Sequence, residues 1–255
     1  MTSTAPRTVL ITGAARRIGR ALALDFAAKG WRVGVHFGTS QVEAEALVAK
    51  IGRRGGASIA LQADLNNLAD ATGLLPACAK ALGSVSCLIN NASRFERDEA
   101  STLSQEEWEA HQNINLRAPV FLAKALADDL PERMSGNVIN VIDQRVWRLT
   151  PDFFSYTISK SGLWTATRTL AQALAPRIRV NAIGPGPTMA SKRQSDEGFA
   201  RQKEAVLLKR GPGLEEICAT AQFILAAPSM TGQMIALDGG QHLAWQTPDV
   251  TGIGE

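Results

Sequence analysis

Tyr156 and Lys160 are the two residues whose types and spacing most directly predict proton transfer. Residues i and i+4 of a helix share a face, so the phenol and the ammonium would be neighbours. A nearby ammonium stabilises a phenolate and lowers the pKa of the phenol below its ordinary value of about 10. We therefore expect Tyr156 to act as an acid near neutral pH, with Lys160 promoting its ionisation.

A glycine-containing segment near the N-terminus, Thr12–Gly19, predicts a binding site for a dinucleotide. It follows an apolar run and opens an amphipathic stretch, which is the order strand, tight turn, helix. Gly13 can adopt the backbone angles of the turn, and Gly19 lets the helix pack closely. The free N–H groups and the positive dipole end of the helix then favour a pyrophosphate. Together with Tyr156, this segment predicts hydride transfer from a nicotinamide to a substrate whose heteroatom receives the tyrosine proton.

These two segments resemble the motifs of the short-chain dehydrogenases/reductases. Thr12-Gly13-x-x-x-Arg17-Ile18-Gly19 matches that family's T-G-x-x-x-G-x-G loop, with Arg17 in place of the middle glycine, and Tyr156 and Lys160 match its Y-x-x-x-K pair. Further matching motifs follow in the family's order, at Asp64, Asn90–Ala92, Asn115, Asn181, Gly184–Gly186 and Asp238–Gly240. The resemblance covers residues 8 to 245. It implies one Rossmann-type α/β domain over residues 1–255, a doubly wound parallel sheet of about seven strands with helices on both faces.

The resemblance also implies which residues touch the cofactor outside the glycine-containing loop. Asp64 and its neighbour Leu65 would lie at the adenine. Further along the chain, the implied contacts are Asn91, Ala92 and Gly186 beside the cofactor, and Ile183 and Thr188 at the nicotinamide carboxamide and the pyrophosphate.

The end of the second predicted strand favours NADP(H) over NAD(H). In such folds an acidic residue here hydrogen-bonds the ribose hydroxyls of NAD, whereas in this chain the strand end, Val35–Ser40, has no carboxylate and the first one after it is Glu43. A 2′-phosphate would instead meet positive charge and hydrogen-bond donors, supplied by Arg16 or Arg17, His36, Thr39 and Ser40. The full set predicted to bind NADP(H) is Gly13, Arg16, Arg17, Ile18, Gly19, His36, Thr39, Ser40, Asp64, Leu65, Asn91, Ala92, Lys160, Gly186 and Thr188.

Asp143 stands where most of the family places a substrate-binding serine, thirteen residues before Tyr156. A carboxylate would repel a ketone oxygen unless it were protonated. It suits a substrate with N–H donors, or a site in which Asp143 and Tyr156 share the delivered proton. The alternative is a structural Asp143, with another group binding the substrate. By resemblance, Asn115 holds a water between the lysine and solvent, so the predicted catalytic residues are Asp143, Tyr156, Lys160 and Asn115.

Asp143, Arg17 and the segment Asn90–Phe95 resemble the pteridine reductase and dihydromonapterin reductase branch of the family. In that branch the aromatic residue stacks on a flat pterin and the serine hydrogen-bonds the pterin's amide edge. The implied substrate site is therefore Arg17, Ser93, Phe95, Asp143 and Tyr156, with a plain core role for Phe95 as the alternative. We expect NADPH-dependent reduction of a C=N bond of a dihydropterin, such as dihydromonapterin or dihydrofolate.

Two other functions compete with this interpretation: a general carbonyl reductase and a non-catalytic NADP(H)-sensing protein. Sensors of this kind usually lose the tyrosine or the lysine, and both are present here. An enoyl reductase is disfavoured because that branch spaces its tyrosine and lysine further apart.

Short apolar, β-branched runs alternate with longer amphipathic segments, as the implied fold requires. The predicted strands are Thr8–Thr12, Arg32–His36, Ser58–Gln62, Cys87–Asn90, Asn137–Ile142, Arg179–Ile183 and Met234–Leu237. The predicted helices are Arg17–Lys29, Gln41–Ile51, Asn67–Leu82, Gln105–Leu130, Ser155–Leu174 and Leu214–Ala226. We expect the polar segment Ala190–Lys209 to close over the substrate.

Composition limits the partners of the chain. Its 27 basic and 24 acidic residues give a net charge of +3, too balanced to favour nucleic acid or an anionic membrane. Neither a signal peptide nor an apolar stretch of about 20 residues is apparent, and the cysteines and histidines lack ligand spacing, so we expect a cytoplasmic protein without metal or disulfides. Apolar faces on the helices of Asn115 and Tyr156 predict a homotetramer. The polar tail 246–255 is expected to be poorly packed or to join an oligomer contact.

Overall fold

Strands and helices alternate along the computed structural model, which describes residues 7–190, 194–247 and 251 of the chain. The strands are β1 (Thr8–Ile11), β2 (Arg32–Phe37), β3 (Ser58–Gln62), β4 (Val85–Asn90), β5 (Gly136–Val141), β6 (Ile178–Pro185) and β7 (Met234–Leu237). The helices are α1 (Arg17–Ala28), α2 (Gln41–Arg53), α3 (Leu68–Leu82), α4 (Gln105–Gln112), α5 (Ala118–Asp129), α6 (Phe154–Leu174), α7 (Asp196–Glu204) and α8 (Leu214–Ala226). A π-helical turn, Asn113–Arg117, joins α4 to α5.

The strands form one parallel sheet of seven, in the order β3-β2-β1-β4-β5-β6-β7. The strand order reverses between β1 and β4, and open α/β sheets bind ligands in the crevice that this reversal leaves at the carboxyl ends of the strands. All residues of β1 are buried, as the apolar run predicts for a strand covered on both faces. The predicted fold class is confirmed.

Helices cover both faces of the sheet. On one face α1, α2 and α8 contribute buried side chains such as Phe26, Leu47 and Ile224. On the other face α3, α5 and α6 contribute Leu75, Leu122 and Ala171. Each strand therefore contributes side chains to two apolar layers, and the carboxyl ends of the strands stay open for the functional residues.

The described residues form neither disulfides nor a group of metal ligands. Cys78, Cys87 and Cys218 are buried, free thiols. Within residues 7–190, 194–247 and 251, no three His, Cys, Asp or Glu side chains are grouped to hold a metal ion. Over the same residues, no helix combines the length and the apolar character needed to cross a bilayer.

Several predicted boundaries differ from the structure. The helix predicted over Gln105–Leu130 is divided by the π turn, which apolar periodicity does not reveal because the chain stays helical throughout. Helix α7 was missed because none of its residues is buried, so it has no apolar period. It lies within the predicted closing segment Ala190–Lys209. Residues 191–193 of that segment, and 248–250 and 252–255 of the predicted tail, lie outside the described residues.

A buried polar chain connects the strands beside the crevice to α6. The Nδ2 of Asn90 donates to the Oδ1 of Asn140 at 2.8 Å, and the Nδ2 of Asn140 donates to the Oγ1 of Thr167 at 2.8 Å. The Thr167 hydroxyl then donates to the Leu163 carbonyl at 2.8 Å. These side chains are almost completely buried, so each hydrogen bond offsets a desolvation cost. This series of hydrogen bonds thus connects α6, the helix of Tyr156, to the sheet.

We predict that Thr167→Val lowers the free energy of unfolding by about 1–3 kcal/mol, because it leaves the Asn140 amide buried without an acceptor. Urea unfolding measures the change. The matched control is Thr169→Val on the same helix, where the hydroxyl bonds only to the exposed carbonyls of Thr165 and Ala166. We expect the control to change stability by less than about 0.5 kcal/mol. Equal effects of the two variants would contradict the role of the buried chain.

Candidate active site

The loop between β1 and α1 has room only for glycine at two positions. Gly13 has a φ of +61°, and a Cβ there would lie 2.9 Å from the Cα of Ala92. A Cβ on Gly19 would lie 2.3 Å from the carbonyl oxygen of Gly13. The backbone therefore turns tightly, and α1 begins close to the strand, which is the arrangement that exposes helix N–H groups to a phosphate.

The end of β4 holds this loop in place. The Oγ1 of Thr12 accepts from the backbone N–H of Asn91 at 2.9 Å and from that of Ala92 at 3.0 Å. The Nδ2 of Asn91 donates back to the carbonyls of Thr12 and Gly13, at 2.8 and 3.2 Å. Asn91 and Ala92, which resemblance assigns to cofactor contact, thus also shape the loop on which a pyrophosphate would lie.

His36 does not face the predicted 2′-phosphate. It is buried, its Nδ1 accepts from the Gly13 N–H at 3.0 Å, and its Nε2 lies 3.2 Å from the Ala63 carbonyl. Burial lowers the pKa of His36 to about 4, so the ring is neutral at pH 7. The predicted charged contact is wrong for this residue. The His36 ring supports the turn at Gly13 instead, because β2 delivers it to the interior.

Arg16 and Ser40 form the part of the predicted phosphate pocket that is already assembled. The Arg16 guanidinium donates to the Ser40 hydroxyl in a short hydrogen bond. Its Nε also lies 3.1 Å from a carboxylate oxygen of Glu43, in an ion pair exposed on both sides. An exposed pair of this kind contributes about 1 kcal/mol or less, so a phosphate can displace it. Exposed Thr39 lies beside Ser40. No sequence pattern indicates that Glu43, in the first turn of α2, turns towards Arg16.

Arg17 spans the crevice. Its guanidinium donates to the carbonyls of Met189 and Ala190, at 3.0 and 2.6 Å. Its φ of +53° lies in the left-handed region, which glycine adopts most easily, and the resembling loop has glycine at this position. The Arg17 side chain therefore reaches beyond its own loop to the backbone that follows the carboxyl end of β6.

The other residues assigned to the cofactor line the same edge of the sheet. Asp64 is exposed after β3, and its Oδ1 accepts from the Asn66 N–H at 2.9 Å, while Leu65 is buried. After β6, a Cβ on Gly186 would lie 2.7 Å from the Cα of Asp238, and the Thr188 hydroxyl donates to the Gly186 carbonyl at 3.0 Å. The fold therefore brings these residues to one edge, together with partly buried Ile18 in the first turn of α1.

Tyr156 and Asp143 are hydrogen-bonded to each other. The Tyr156 hydroxyl donates to the Oδ2 of Asp143 at 2.9 Å, and the Oδ1 of Asp143 accepts from the Arg145 N–H at 2.8 Å. Asp143 follows β5, and Tyr156 lies in the first turn of α6. A carboxylate therefore occupies the position from which the family's serine would donate to a substrate carbonyl.

Burial sets the protonation of this pair. It raises the pKa of Asp143 above the ordinary carboxyl value, against the opposing hydrogen bonds from Arg145 and Tyr156. Burial also raises the pKa of Tyr156 well above 10, and the negative charge of Asp143 raises it further. The prediction that Lys160 lowers the pKa of Tyr156 is therefore wrong for this structure. The partner of the phenol is a carboxylate, so the pair retains protons instead of releasing them.

Lys160 is buried below the tyrosine. Its Nζ donates to the carbonyl of Val141 at 2.9 Å and lies 5.8 Å from the centre of the Tyr156 ring. Burial lowers the pKa of Lys160 to about 8, so the amine is mostly charged at pH 7. Lys160 and Tyr156 share a face of α6, as the spacing predicts.

Asn115 holds the loop after β4 against α6. Its Oδ1 accepts from the Arg94 N–H at 2.8 Å and from the Ser93 hydroxyl at 3.2 Å. Its Nδ2 donates to the Arg94 carbonyl at 2.9 Å and to the Ser159 hydroxyl at 3.0 Å. The side chain thus positions the loop of Ser93 and Phe95, and the water-holding role implied by resemblance stays a prediction.

Phe95 lies at the tyrosine, in a stack that the sequence did not reveal. Its ring meets the Tyr156 ring edge to face at 4.7 Å and is parallel to the Phe153 ring at 4.4 Å, with 5° between the planes. The Arg145 guanidinium lies 5.2 Å from the centre of the Phe153 ring. Phe153 has a left-handed φ of +57° just before α6, an arrangement that no sequence pattern signals.

Two solved structures with high similarity belong to FolM alternative dihydrofolate reductase 1, from Brucella canis and Brucella suis. Each is 50% identical to this chain and superposes with a TM-score of 0.94. The first covers 96% of this chain and 97% of its own, and the second covers 98% and 100%. Both structures are complexes with NADP.

A more distant relative matches this chain over most of its length. A 3-oxoacyl-(acyl-carrier-protein) reductase of Synechocystis sp. is 31% identical over 244 residues, which cover 94% of this chain and 98% of that protein. The model of the short chain dehydrogenase family matches residues 7–198, from β1 into α7. With the glycine-containing loop, the tyrosine–lysine pair and the seven-stranded parallel sheet in place, this chain belongs to the short-chain dehydrogenase family.

Proposed function

We propose that this protein is an NADPH-dependent reductase that reduces a C=N bond of a dihydropterin. The observation that carries the proposal is the 2.9 Å hydrogen bond between the Tyr156 hydroxyl and the Asp143 carboxylate. A carbonyl substrate would need a donor where the carboxylate lies, whereas a pterin presents N–H groups and a basic ring nitrogen to it. The similar Brucella structures, which are dihydrofolate reductases with NADP, support this substrate class.

The residues of the loop after β1 fit the cofactor. Gly13 and Gly19 leave a cradle that a Cβ would fill, and Arg16 and Ser40 lie together where a 2′-phosphate would need a cation and a hydroxyl. When bound, NADPH supplies the hydride. Buried Lys160 sits next to the tyrosine as a positive charge, and it would orient the nicotinamide ribose by hydrogen bonding.

Proton delivery is the part of the reaction for which these side chains are responsible. Burial raises the pKa of Asp143, so when the carboxylate takes up a proton the bonded Tyr156 hydroxyl can relay it. As the hydride reaches carbon, this proton passes to the adjacent ring nitrogen. The pair is left as a phenol donating to a carboxylate, which is the hydrogen bond in the structure. Ring stacking on Phe95 and a hydrogen bond to Ser93 would orient the pterin.

We predict that NADPH is preferred over NADH by at least about tenfold in kcat/KM, or about 1.4 kcal/mol. Steady-state kinetics with both cofactors measure the ratio. Because Glu43 competes with the phosphate for Arg16, Glu43→Gln is expected to increase the preference. Glu45→Gln on the same helix, where the side chain bonds Gln41, is the control. Equal use of the two cofactors would mean that Arg16 and Ser40 do not form the phosphate pocket.

We predict that Asp143→Ala lowers kcat for dihydrofolate reduction by roughly 10²–10⁴, the range of a lost general acid, and leaves NADPH affinity nearly unchanged. Asp152→Ala on the same loop is the control, because that side chain bonds exposed Arg97. Asp143→Ser should not restore pterin reduction, although its hydroxyl can donate to a small activated ketone. Near-full pterin activity in Asp143→Ala would favour the carbonyl-reductase alternative instead.

The same proton predicts a pH dependence. Above the raised pKa of Asp143 the carboxyl loses its proton, so kcat should fall as pH increases through that value. The phenol does not contribute to this decline, since the pKa of Tyr156 is raised well above 10. A pH profile of Asp143→Ala should lack the decline, and an unchanged profile would show that another group donates the proton.

We also propose a homotetramer that uses the outer face of α6. A groove of about 930 Å³ beside this face is lined by residues that include Leu149, Pro151, Ile158 and Thr165. Light scattering at micromolar concentration should give the tetramer mass, and Ile158→Glu should reduce it. Val42→Glu, at a still more exposed apolar residue on α2, should not. A monomeric wild type would contradict the proposal.

A further inference from the structure

The segment that carries Phe95 is held as if it were a strand at the edge of a sheet. The Arg94 N–H donates to the Oδ1 of Asn115, and two residues later the Glu96 N–H donates to the Nε2 of His111 at 3.2 Å. Alternate amides of an extended chain point the same way, so two side chains take the place of a neighbouring strand. Phe95 lies between these two bonds, next to Tyr156.

The same segment ends on the helix that carries Tyr156. The carboxylate of Asp98 accepts from the backbone N–H of Ser155 at 3.2 Å and, in a short bond, from the Ser155 hydroxyl. The Phe154 N–H donates to the Asp98 carbonyl at 3.3 Å. Asp98 therefore supplies negative charge and acceptors to the N-terminus of α6, where free N–H groups favour them.

His111 hydrogen-bonds both the segment that carries Phe95 and the start of α6. The donor and the acceptor of each of these hydrogen bonds follow from the tautomer of the ring. Its Nε2 accepts from Glu96 and must be unprotonated, so in the neutral ring Nδ1 carries the hydrogen. Nδ1 lies 2.7 Å from the Ser155 Oγ and donates to it, which leaves the Ser155 hydroxyl to donate to Asp98. A single directed chain thus runs from the Phe95 segment through His111 and Ser155 to Asp98.

The neutral ring is the form that this environment favours. His111 and Ser155 are fully buried and Asp98 is 5% exposed. Burial lowers the pKa of His111, and the charge of Arg94 acts in the same direction, while the charges of Asp98 and Glu107 and a hydrogen bond from the ring to the Glu107 backbone oppose them. A protonated Nε2 would face the Glu96 N–H and break the chain.

We propose that His111, Ser155 and Asp98 are positioning residues that set where Phe95 and Tyr156 lie relative to each other, the two rings being 4.7 Å apart. Through the Glu96 N–H, His111 fixes the position of Phe95, on which the substrate would stack. Through Ser155, it fixes the position of Tyr156, which would deliver the proton. The roles assigned to the two rings rest on the function proposed above. Burying three polar side chains costs more desolvation free energy than burying apolar ones would. Here the three side chains hydrogen-bond the segment that carries Phe95 and the start of α6, and a flat substrate would contact both.

Two substitutions of His111 test separately its hydrogen bond with Glu96 and its hydrogen bond with Ser155. In His111→Gln the amide oxygen can take the place of Nε2 and accept from Glu96, while Ser155 loses its donor. In His111→Asn the amide nitrogen can take the place of Nδ1 and donate to Ser155, while Glu96 loses its acceptor. We therefore expect His111→Gln to lower kcat for dihydrofolate roughly tenfold with little change in KM, and His111→Asn to raise KM roughly tenfold with little change in kcat.

Each variant is measured per NADPH-binding site, so that unfolded protein does not count as lost activity. The NADPH Kd of both variants should match that of the wild type, because the hydrogen bonds of His111 do not involve the Gly13–Gly19 loop. Glu109→Gln, exposed on α4, is the control and should change neither constant. If both substitutions change kcat and KM alike, or if neither constant moves, the positioning role is overturned.

Two further measurements keep the inference testable if the His111 variants do not fold or if no pterin is reduced. Ser155→Ala removes only the link to α6, so it should reproduce the loss of kcat without the change in KM. Nitrogen-15 NMR of the wild type needs no substrate and should show His111 protonated at Nδ1 alone near pH 7.5. The other tautomer, or a doubly protonated ring, overturns the chain. Absence of dihydropterin turnover by the wild type would overturn the proposed function and leave this spectrum as the separate test.

Discussion

The hydrogen bond from Tyr156 to Asp143 joins the end of β5 to the first turn of α6, and the surrounding structure maintains it. A phenol and a carboxyl at 2.9 Å compete for the same protons, and their burial makes both of them retain protons more strongly. This constraint suits a reaction that ends with protonation of a basic nitrogen. It also explains why Lys160 alone is a poor guide to the pKa of the tyrosine, because the nearest charge to the hydroxyl is negative.

The placement of α6 depends on contacts from three directions. Thr167 connects its middle to the sheet through Asn140, Asp98 caps its N-terminus, and Ser159 connects its first turns to Asn115. Because these partners come from different parts of the chain, the helix cannot shift without losing several buried hydrogen bonds at once. The relative position of Tyr156 and Asp143 therefore depends on the whole carboxyl edge of the sheet, not on one loop.

Sequence reasoning reached the fold and the location of the site because both depend on local signals. Apolar runs identify β1 and β5, and glycines mark the turn at Gly13, since each pattern has one common structural cause. The direction in which a side chain points depends on tertiary packing, which sequence spacing does not contain. His36 was assigned to a phosphate because a histidine can carry a positive charge and this one lies near the correct strand end, yet the strand turns its ring inwards, where it is neutral. Phe153 and His111 could not be found at all, because their importance comes from residues distant in the chain.

The π turn at Asn113–Arg117 makes the number of residues between α4 and α5 important for the site. A π turn accommodates one residue more than the α-helical period, and such turns occur often at functional sites. Removing one residue would return the segment to α-helical geometry with α4 and α5 still in line, because the turn absorbs the extra residue locally. His111 would keep its direction, but Asn115, which lies within the turn, would lose its place opposite Arg94 and Ser159. A single deletion would thus leave a folded protein in which the loop that carries Phe95 is no longer held against α6.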